Sequence, residues 1–306
     1  MKFSVTIPAY KAKYLKDCID SVLSQTFQDY EIVIVDDASP EDLASIVNQF
    51  DDQRIRYYRN EKNFGALDVV DNWNKCLEYA KGEWIICMGD DDKLLPECLE
   101  EYDKLIKKYP YVQVLHGWTE IIDENSNFAG LTASRIEYES CYSLIWHRWN
   151  GRERQFIGDF LFNREKLLAM GGFYKLPFAW ASDDITAVLM AEPAGIANTP
   201  RIVFQYRDSG MTITSTGNIK VKVDAIKQEI EWYRLFLSKK SGNEVDEKFR
   251  HSIVNEFNRH FQKKYAYYLI QDIRSNRIRF FYWLTHRRNY DMSISLIIYS
   301  FIMSFK

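Results

Sequence analysis

"WIICMGDDDKLLP", residues 84–96, sets three adjacent aspartates directly behind an apolar run. The run reads as a buried strand. Three like charges side by side repel, and none is buried cheaply without a partner. The triplet is therefore a solvated turn, or a place where something positive sits.

The flanking segments bear on this. "FSVTI" (3–7) is a short β-rich run stopped by Pro8, and "EIVIVDD" (31–37) is a second apolar strand ending in two carboxylates. "RIRYYR" (54–59) and "EWIICM" (83–88) read as the third and fourth strands. Between them, Leu15, Ile19, Val22 and Leu23 recur at helical spacing, and 66–80 suits a helix closed by Gly82. "SPEDLASIVNQF" (39–50) offers Ser39 as an N-cap and Pro40 at the first helical position. Another helix is expected from about Pro96 to Lys108. Strands alternating with helices at this spacing predict an α/β domain with a mostly parallel sheet, whose ligands bind beyond the strand carboxyl ends. Asp36-Asp37 and Asp90-Asp91-Asp92 both fall at such ends. Further strands are expected in 112–123, 154–173 (with a helix and a glycine pair) and 195–207.

The totals narrow the class. The chain has 306 residues, 46% hydrophobic and 27% charged, which suits one large domain, or one domain plus an extension. A net charge of −3 gives no global pull toward nucleic acid. The five cysteines form no C-x-x-C pair, so buried reduced thiols in a cytosolic protein are expected. The N-terminus does not read as a signal peptide. No stretch reaches the roughly 18 apolar residues that span a bilayer.

Each acidic group has a structural and a chemical reading. The Asp triplet can be a polar turn, or it can hold Mg²⁺ or Mn²⁺, which take one or two carboxylates and fill their shell with phosphate oxygens. One acid of Asp36-Asp37 can sit at a helix N-terminus, or can accept from a base N–H or a ribose hydroxyl. Asp183-Asp184, in "PFAWASDDITAVLMA" (177–191), can reflect helix capping by Ser182 or Asp183, or supply a general base. The five histidines show no ligand spacing, and there is no Ser-His-Asp constellation.

The ordered set "SVLSQTF" (21–27), "VDDAS" (35–39), "AKGEW" (80–84) and "DDDKLLP" (90–96) resembles the family 2 glycosyltransferases over about residues 2–215. The resemblance implies a GT-A fold: a Rossmann-like, mixed but mostly parallel sheet flanked by helices. It implies inverting transfer of a sugar from a nucleotide-sugar donor, with UDP the nucleotide and Mg²⁺ or Mn²⁺ at a D-x-D position. The acceptor would be a saccharide or lipid-linked hydroxyl in bacterial cell-surface polysaccharide synthesis. Carried over residue by residue, Asp37 contacts the base, and Pro8, Ala9 and Tyr10 form the nucleotide-contacting end of the first strand. Asp91 comes first as metal ligand, with Asp92 beside it and Asp90 near the sugar and diphosphate. "GGFYKLPFAWASDD" (171–184) places Asp183 on the catalytic base, Asp184 being the alternative one residue on. "QYRDSGMTITS" (205–215) resembles a loop over the diphosphate, making Arg207 a phosphate contact or else a surface arginine. The chain departs from the family pattern at Ala9, Lys11, Gly89, Thr186 and Ala187.

These readings divide the chain into a catalytic domain, 1–215, and a helical extension, 216–306. Within the first, about 1–110 binds the nucleotide-sugar and 111–215 lies on the acceptor side. The extension shows helical spacing at Val223, Ile226, Ile230 and Leu237, then at Phe249, Ile253, Phe257, Phe261 and Tyr265. Residues 263–288 carry seven Lys and Arg against Asp272, and "SISLIIYSFIMSF" (293–305) follows. This suits either packing onto the catalytic domain or onto a second copy in a homodimer, or peripheral contact of 277–306 with the cytoplasmic face of an anionic membrane. Two rival functions are a nucleotidyltransferase, for which "IPAYKAKYL" lacks the glycines of a triphosphate loop, and a non-catalytic sugar-nucleotide-binding protein.

Overall fold

Tyr30–Asp36 is buried at every position. A strand without polar alternation belongs inside a sheet covered on both faces. The computed structural model describes residues 1–210 and 218–306. The first half alternates β1 (Phe3–Ala9), α1 (Leu15–Leu23), β2 (Tyr30–Asp36), α2 (Leu43–Val47), β3 (Ile55–Arg59), α3 (Val69–Tyr79) and β4 (Trp84–Cys87). β1 pairs in parallel with β2 and β4, and β2 with β3. The ends of β2 and β4 therefore open on one edge, where both N-terminal acidic clusters stand.

The second half adds β5 (Lys93–Leu94), α4 (Cys98–Lys108), β6 (Val114–Ile122), β7 (Phe128–Leu131), β8 (Tyr138–Glu139) and α5 (Cys141–Trp149). It continues with β9 (Phe160–Asn163), α6 (Arg164–Ala169), α7 (Ser182–Ala191) and β10 (Ile196–Arg207). The main sheet runs β3-β2-β1-β4-β9-β6-β10-β5. β9 is antiparallel to both β4 and β6, while β10 is parallel to β6. This is the mixed, mostly parallel sheet expected from the sequence.

Two local expectations are corrected. Ser39 does not cap a helix: α2 starts at Leu43, and Asp42 is its cap, accepting the Ser45 N–H at 3.1 Å. The Asp36 carboxylate takes the Ser39 N–H at 2.7 Å, and the Ser39 hydroxyl donates to the Tyr10 carbonyl at 2.6 Å. The strand-end acid thus folds the next residues into a turn and delays the helix. Gly82 does not close α3, which ends at Tyr79 with Ala80 extended. A Cβ on Gly82 would lie 2.6 Å from the Phe3 carbonyl carbon, so glycine there permits close approach to β1.

Beyond the sheet come α8 (Ile219–Ser238), α9 (Glu244–Ser275), α10 (Arg279–His286) and α11 (Ile294–Met303). Their aromatic residues mostly point inward. One hydrophobic cluster joins Tyr142 and Ile145 of α5 to Val223, Tyr233, Phe257 and Phe261. Trp149 stacks on His260 at 4.2 Å and meets Phe257 and Phe261 edge-on. Trp283 is fully buried and donates its indole N–H to Asp272 at 2.8 Å. Each large apolar side chain buried this way contributes about 1.5–3 kcal/mol. An apolar stripe stays outside, with Ile278, Phe281, Ile294, Ile298, Ile302 and Phe305 exposed. Among the described residues no helix is long and apolar enough to cross a membrane. All five cysteines are buried and unpaired.

Candidate active site

The turn after β4 divides its three acids between different jobs. Asp90 is buried and accepts the backbone N–H groups of Tyr10 and Lys11, both at 2.7 Å, tying the loop after β1 to the turn. Burial, then the neighbouring charge of Asp91, pushes its carboxyl up to about 6 despite those bonds. Asp92 is also buried, and burial followed by the charge of Asp91 raises it well above the usual carboxylate range. Asp91 is the most open of the three, with Lys11 Nζ 3.8 Å from its carboxylate.

Gly89 explains how two of these carboxylates converge. A Cβ built there would lie 3.0 Å from Asp91 Oδ1 and 3.0 Å from Asp92 Oδ2. The missing side chain leaves a notch faced by two anionic oxygens. This fits a hard divalent cation, which needs one or two carboxylates and relieves the charge that raises Asp92. Among the described residues no cluster of three or more His, Cys, Asp and Glu forms a closed metal site. A cation at the notch would therefore draw further ligands from phosphate or water.

Arg207, at the end of β10, is a buried strut and not a surface arginine. It is 1% exposed. Its N–H donates to Asp92 at 3.0 Å, its Nε to the Asp91 carbonyl at 2.8 Å, and its Nη1 to the Asp123 carbonyl at 3.0 Å. Its guanidinium carbon lies 4.2 Å from the Tyr14 ring centre. Nη2 is buried with no hydrogen-bond partner among the described residues. The diphosphate loop expected after it falls partly on 211–217, outside the described residues.

The ends of β1 and β2 frame the other side of the acidic turn. Asp37 is buried and accepts from Asn60 Nδ2 at 2.9 Å, Phe64 N at 3.0 Å and Gly65 N at 3.3 Å, so it holds the 60–65 loop. Asp36 binds Ser39, Tyr57 and Arg59. Pro8 and Ala9 end β1, and Tyr10 is 42% exposed beside the acidic turn.

The second acidic pair opens α7, but neither Ser182 nor Asp183 caps it. Ala181 occupies the cap position at φ 52°, without a side-chain bond, while the Ser182 hydroxyl accepts from Leu176 N at 3.1 Å. Phe178 and Ala179 also have positive φ, so three non-glycine residues within four positions are left-handed. Such strain persists only where the surroundings impose it. Asp183 accepts the Asp184 N–H at 2.9 Å and faces a cavity of about 590 Å³. Burial, then the charge of Asp184, raises its carboxyl. Asp184 is bound by Gln155 Nε2 at 2.5 Å and Arg148 Nε at 3.0 Å. Its burial is outweighed by the charges of Arg148 and Lys264 and by these bonds, so it lies below the usual range. Two adjacent acids that both line the cavity are thereby split into one with a raised carboxyl and one anchored by Gln155 and Arg148.

Tyr206 links the two acidic centres. Burial, then the charges of Asp92 and Asp91, raises its hydroxyl, and its ring lines the cavity stacked on Phe156 at 3.7 Å. The family model described as Glycosyl transferase family 2 matches residues 4–171, more than half of the chain. The chain belongs to this family. An uncharacterised glycosyltransferase of Methanocaldococcus jannaschii is 33% identical over 129 residues, 40% of this chain and 43% of that protein. The Escherichia coli UDP-Glc:alpha-D-GlcNAc-diphosphoundecaprenol beta-1,3-glucosyltransferase WfgD is 32% identical over 124 residues, 40% of this chain and 47% of that one. The chain thus spans less than half the length of these relatives. The crystal structure of S. aureus TarS 1-349 in complex with UDP-GlcNAc superposes with TM-score 0.66 at 19% identity, covering 89% of this chain and 81% of that one. That likeness establishes the GT-A fold.

Several residues of this family 2 site carry no signal in the sequence. Arg148 and Gln155, which anchor Asp184, belong to no motif. Trp180, Lys222, Lys264 and Tyr267 wall the Asp183 cavity, the last three from the C-terminal helices. Those three lie far from Asp183 along the chain, so no local spacing points to them. Gly89 stands out only as a departure from the family pattern.

Proposed function

We propose that this protein is an inverting, metal-dependent glycosyltransferase that moves a sugar from a UDP-sugar to a hydroxyl of a saccharide or lipid-linked acceptor in bacterial cell-surface polysaccharide synthesis. One observation carries the reading: Asp183, its carboxyl raised, faces a cavity whose wall, Tyr206, stands beside the Asp91–Asp92 notch. In this reading the base and the diphosphate-neutralising centre flank Tyr206, which lines the cavity and feels the charges of Asp92 and Asp91.

In this mechanism the acceptor hydroxyl loses its proton to Asp183 as its oxygen bonds to the anomeric carbon. The bond from that carbon to the diphosphate oxygen breaks on the other face, inverting the centre. Arg148 and Gln155 keep Asp184 ionised, and its charge keeps Asp183 basic. Asp91, with Asp92, would hold a Mg²⁺ or Mn²⁺, which when bound supplies Lewis-acid neutralisation of the leaving diphosphate. Asp90 keeps Tyr10 in place, where its exposed ring can stack on the base. The base contact assigned to Asp37 would use lone pairs left over from the 60–65 loop, since a carboxylate has about four. Arg207, as a buried strut, would serve the diphosphate by holding Asp91 and Asp92 in place. Peripheral contact with an anionic membrane through the outer stripe of 277–306 suits a lipid-linked acceptor.

The test is a screen of UDP-sugars for UDP release, with Mg²⁺ or Mn²⁺ and then with EDTA. Release with one sugar, abolished by EDTA and reduced about 10³-fold in Asp183→Asn at unchanged UDP affinity, is the expected result. Full turnover in Asp183→Asn would sink the base assignment. Turnover that survives EDTA would sink the metal.

A further inference from the structure

A second cavity, of about 610 Å³, lies between α9 and α11. Its floor is apolar: Ala266 and Ile270 from α9, Leu296 and Tyr299 from α11. Its rim carries Arg259 and Lys263, one helical turn apart and both exposed. Neither side chain makes a hydrogen bond or ion pair among the described residues. Tyr267 lines both this groove and the cavity that Asp183 faces. The outer face of α11 next to it is the exposed stripe of Ile294, Ile298 and Ile302.

We infer that this groove holds the lipid diphosphate of an amphiphilic acceptor, with the sugar hydroxyl reaching Asp183 past Tyr267. The inference rests on the glycosyltransferase reading and adds a location and a chemistry to it. Two cations without protein partners among the described residues suit a diphosphate, because phosphate oxygens replace the water that each would otherwise keep. The apolar floor suits the first isoprene-like carbons, since covering methylene groups from water is favourable. Continuity through Tyr267 is what one molecule spanning both spaces requires. A free saccharide would use only the first cavity, leaving the paired cations and the apolar floor without a role. The α11 stripe would let the remaining hydrocarbon stay in the bilayer.

The test is a fluorescence titration of the full chain with farnesyl diphosphate, in saturating UDP and Mg²⁺ so that the donor diphosphate site is filled. Inorganic pyrophosphate and phosphatidylglycerol vesicles form separate arms. Farnesyl diphosphate should bind at least tenfold more tightly than pyrophosphate. Arg259→Gln with Lys263→Gln removes the charge without filling the groove, and Ser295→Trp fills it without changing the charge. Each should weaken farnesyl diphosphate at least tenfold, while circular dichroism and the UDP-induced melting shift stay as in the parent protein. Affinity equal to that of pyrophosphate, or unchanged in both variants, overturns the groove. So does vesicle binding that the charge variant abolishes while farnesyl diphosphate binding persists, since the two cations would then mark a membrane-facing patch. Because the readout is binding, failure of UDP-sugar turnover would not mask the result, and failure of the groove would leave turnover standing.

Discussion

Asp183 and Asp184 are neighbours in sequence and opposites in environment. Asp183 has a folded pKa raised from 3.8 to about 7 by burial and by Asp184. As a base it must be ionised, so kcat should climb with pH through about 7 and then level, as a pH–rate profile would record. Stability follows the same linkage with its sign fixed. An acid whose folded pKa is raised disfavours the fold once pH exceeds its unfolded value, and the penalty is complete above the folded one. The gain in Tm of Asp183→Asn over the parent should therefore grow from about pH 4 to about pH 7 and stay flat beyond. A gain that shrinks over this range would contradict the assignment. Gly89 makes a second case. Gly89→Ala places a methyl 3.0 Å from two carboxylate oxygens. The Mg²⁺ concentration for half-maximal UDP binding should rise by about tenfold, with little change in Tm. Unchanged metal dependence would show that the notch is not the cation site.

At the scale of elements, the entry to α7 and the C-terminal turn of α5 decide where the base sits. The three left-handed residues before α7 aim Asp183 at the cavity, and Arg148, in the last turn of α5, anchors Asp184. α5 is held in turn by the stack of Trp149 on His260 and by the ring edges of α9. Trp149→Ala should cost about 3 kcal/mol in chemical denaturation. It should lower kcat more than it weakens UDP binding, because the loosened element carries Arg148 and not the nucleotide side. Equal losses in both would show that α5 merely supports the fold.

For the whole molecule, the helices after residue 218 are the far wall of the site and share its hydrophobic core, so their aromatic residues are mostly spent inside. What remains for a membrane is the outer stripe. Ile278 and Phe281 reach α11 through Arg277, which donates to the Ser304 carbonyl at 3.1 Å, and through Phe280, whose ring centre lies 4.6 Å from that of Phe301. Phe281→Ser, Ile298→Ser and Ile302→Ser together remove apolar surface that is about half or more exposed. They should lower the fraction sedimenting with phosphatidylglycerol vesicles several-fold at unchanged Tm. Equal sedimentation of the variant and the parent would reject membrane contact through this stripe.

The order of strands and helices in the first half is legible in the sequence because the helices bury periodic apolar faces and the central strands are short unbroken apolar runs. The acidic clusters are legible because parallel strands must end on one edge. Neither Ser39 nor Ser182 caps a helix. Ser39 gives its N–H to Asp36 and its hydroxyl to the Tyr10 carbonyl, while the Ser182 hydroxyl accepts the Leu176 N–H. Ser39 Oγ still accepts the Glu41 N–H at 3.0 Å, but the turn it closes does not continue as a helix, whereas the Ser182 hydroxyl is taken by a residue outside α7.

The sequence by itself determined the alternation of elements, the family and the three acidic positions, because these follow from periodicity and from motifs within a few residues of one another. Only the tertiary structure decided which acid of each cluster is anchored and which is open. It also decided that Arg207 is buried, and that Lys222, Lys264 and Tyr267 wall the cavity of Asp183. The physical reason is that burial, charge pairing and hydrogen bonding depend on residues far apart in the chain, and adjacent aspartates look alike until those partners are in place.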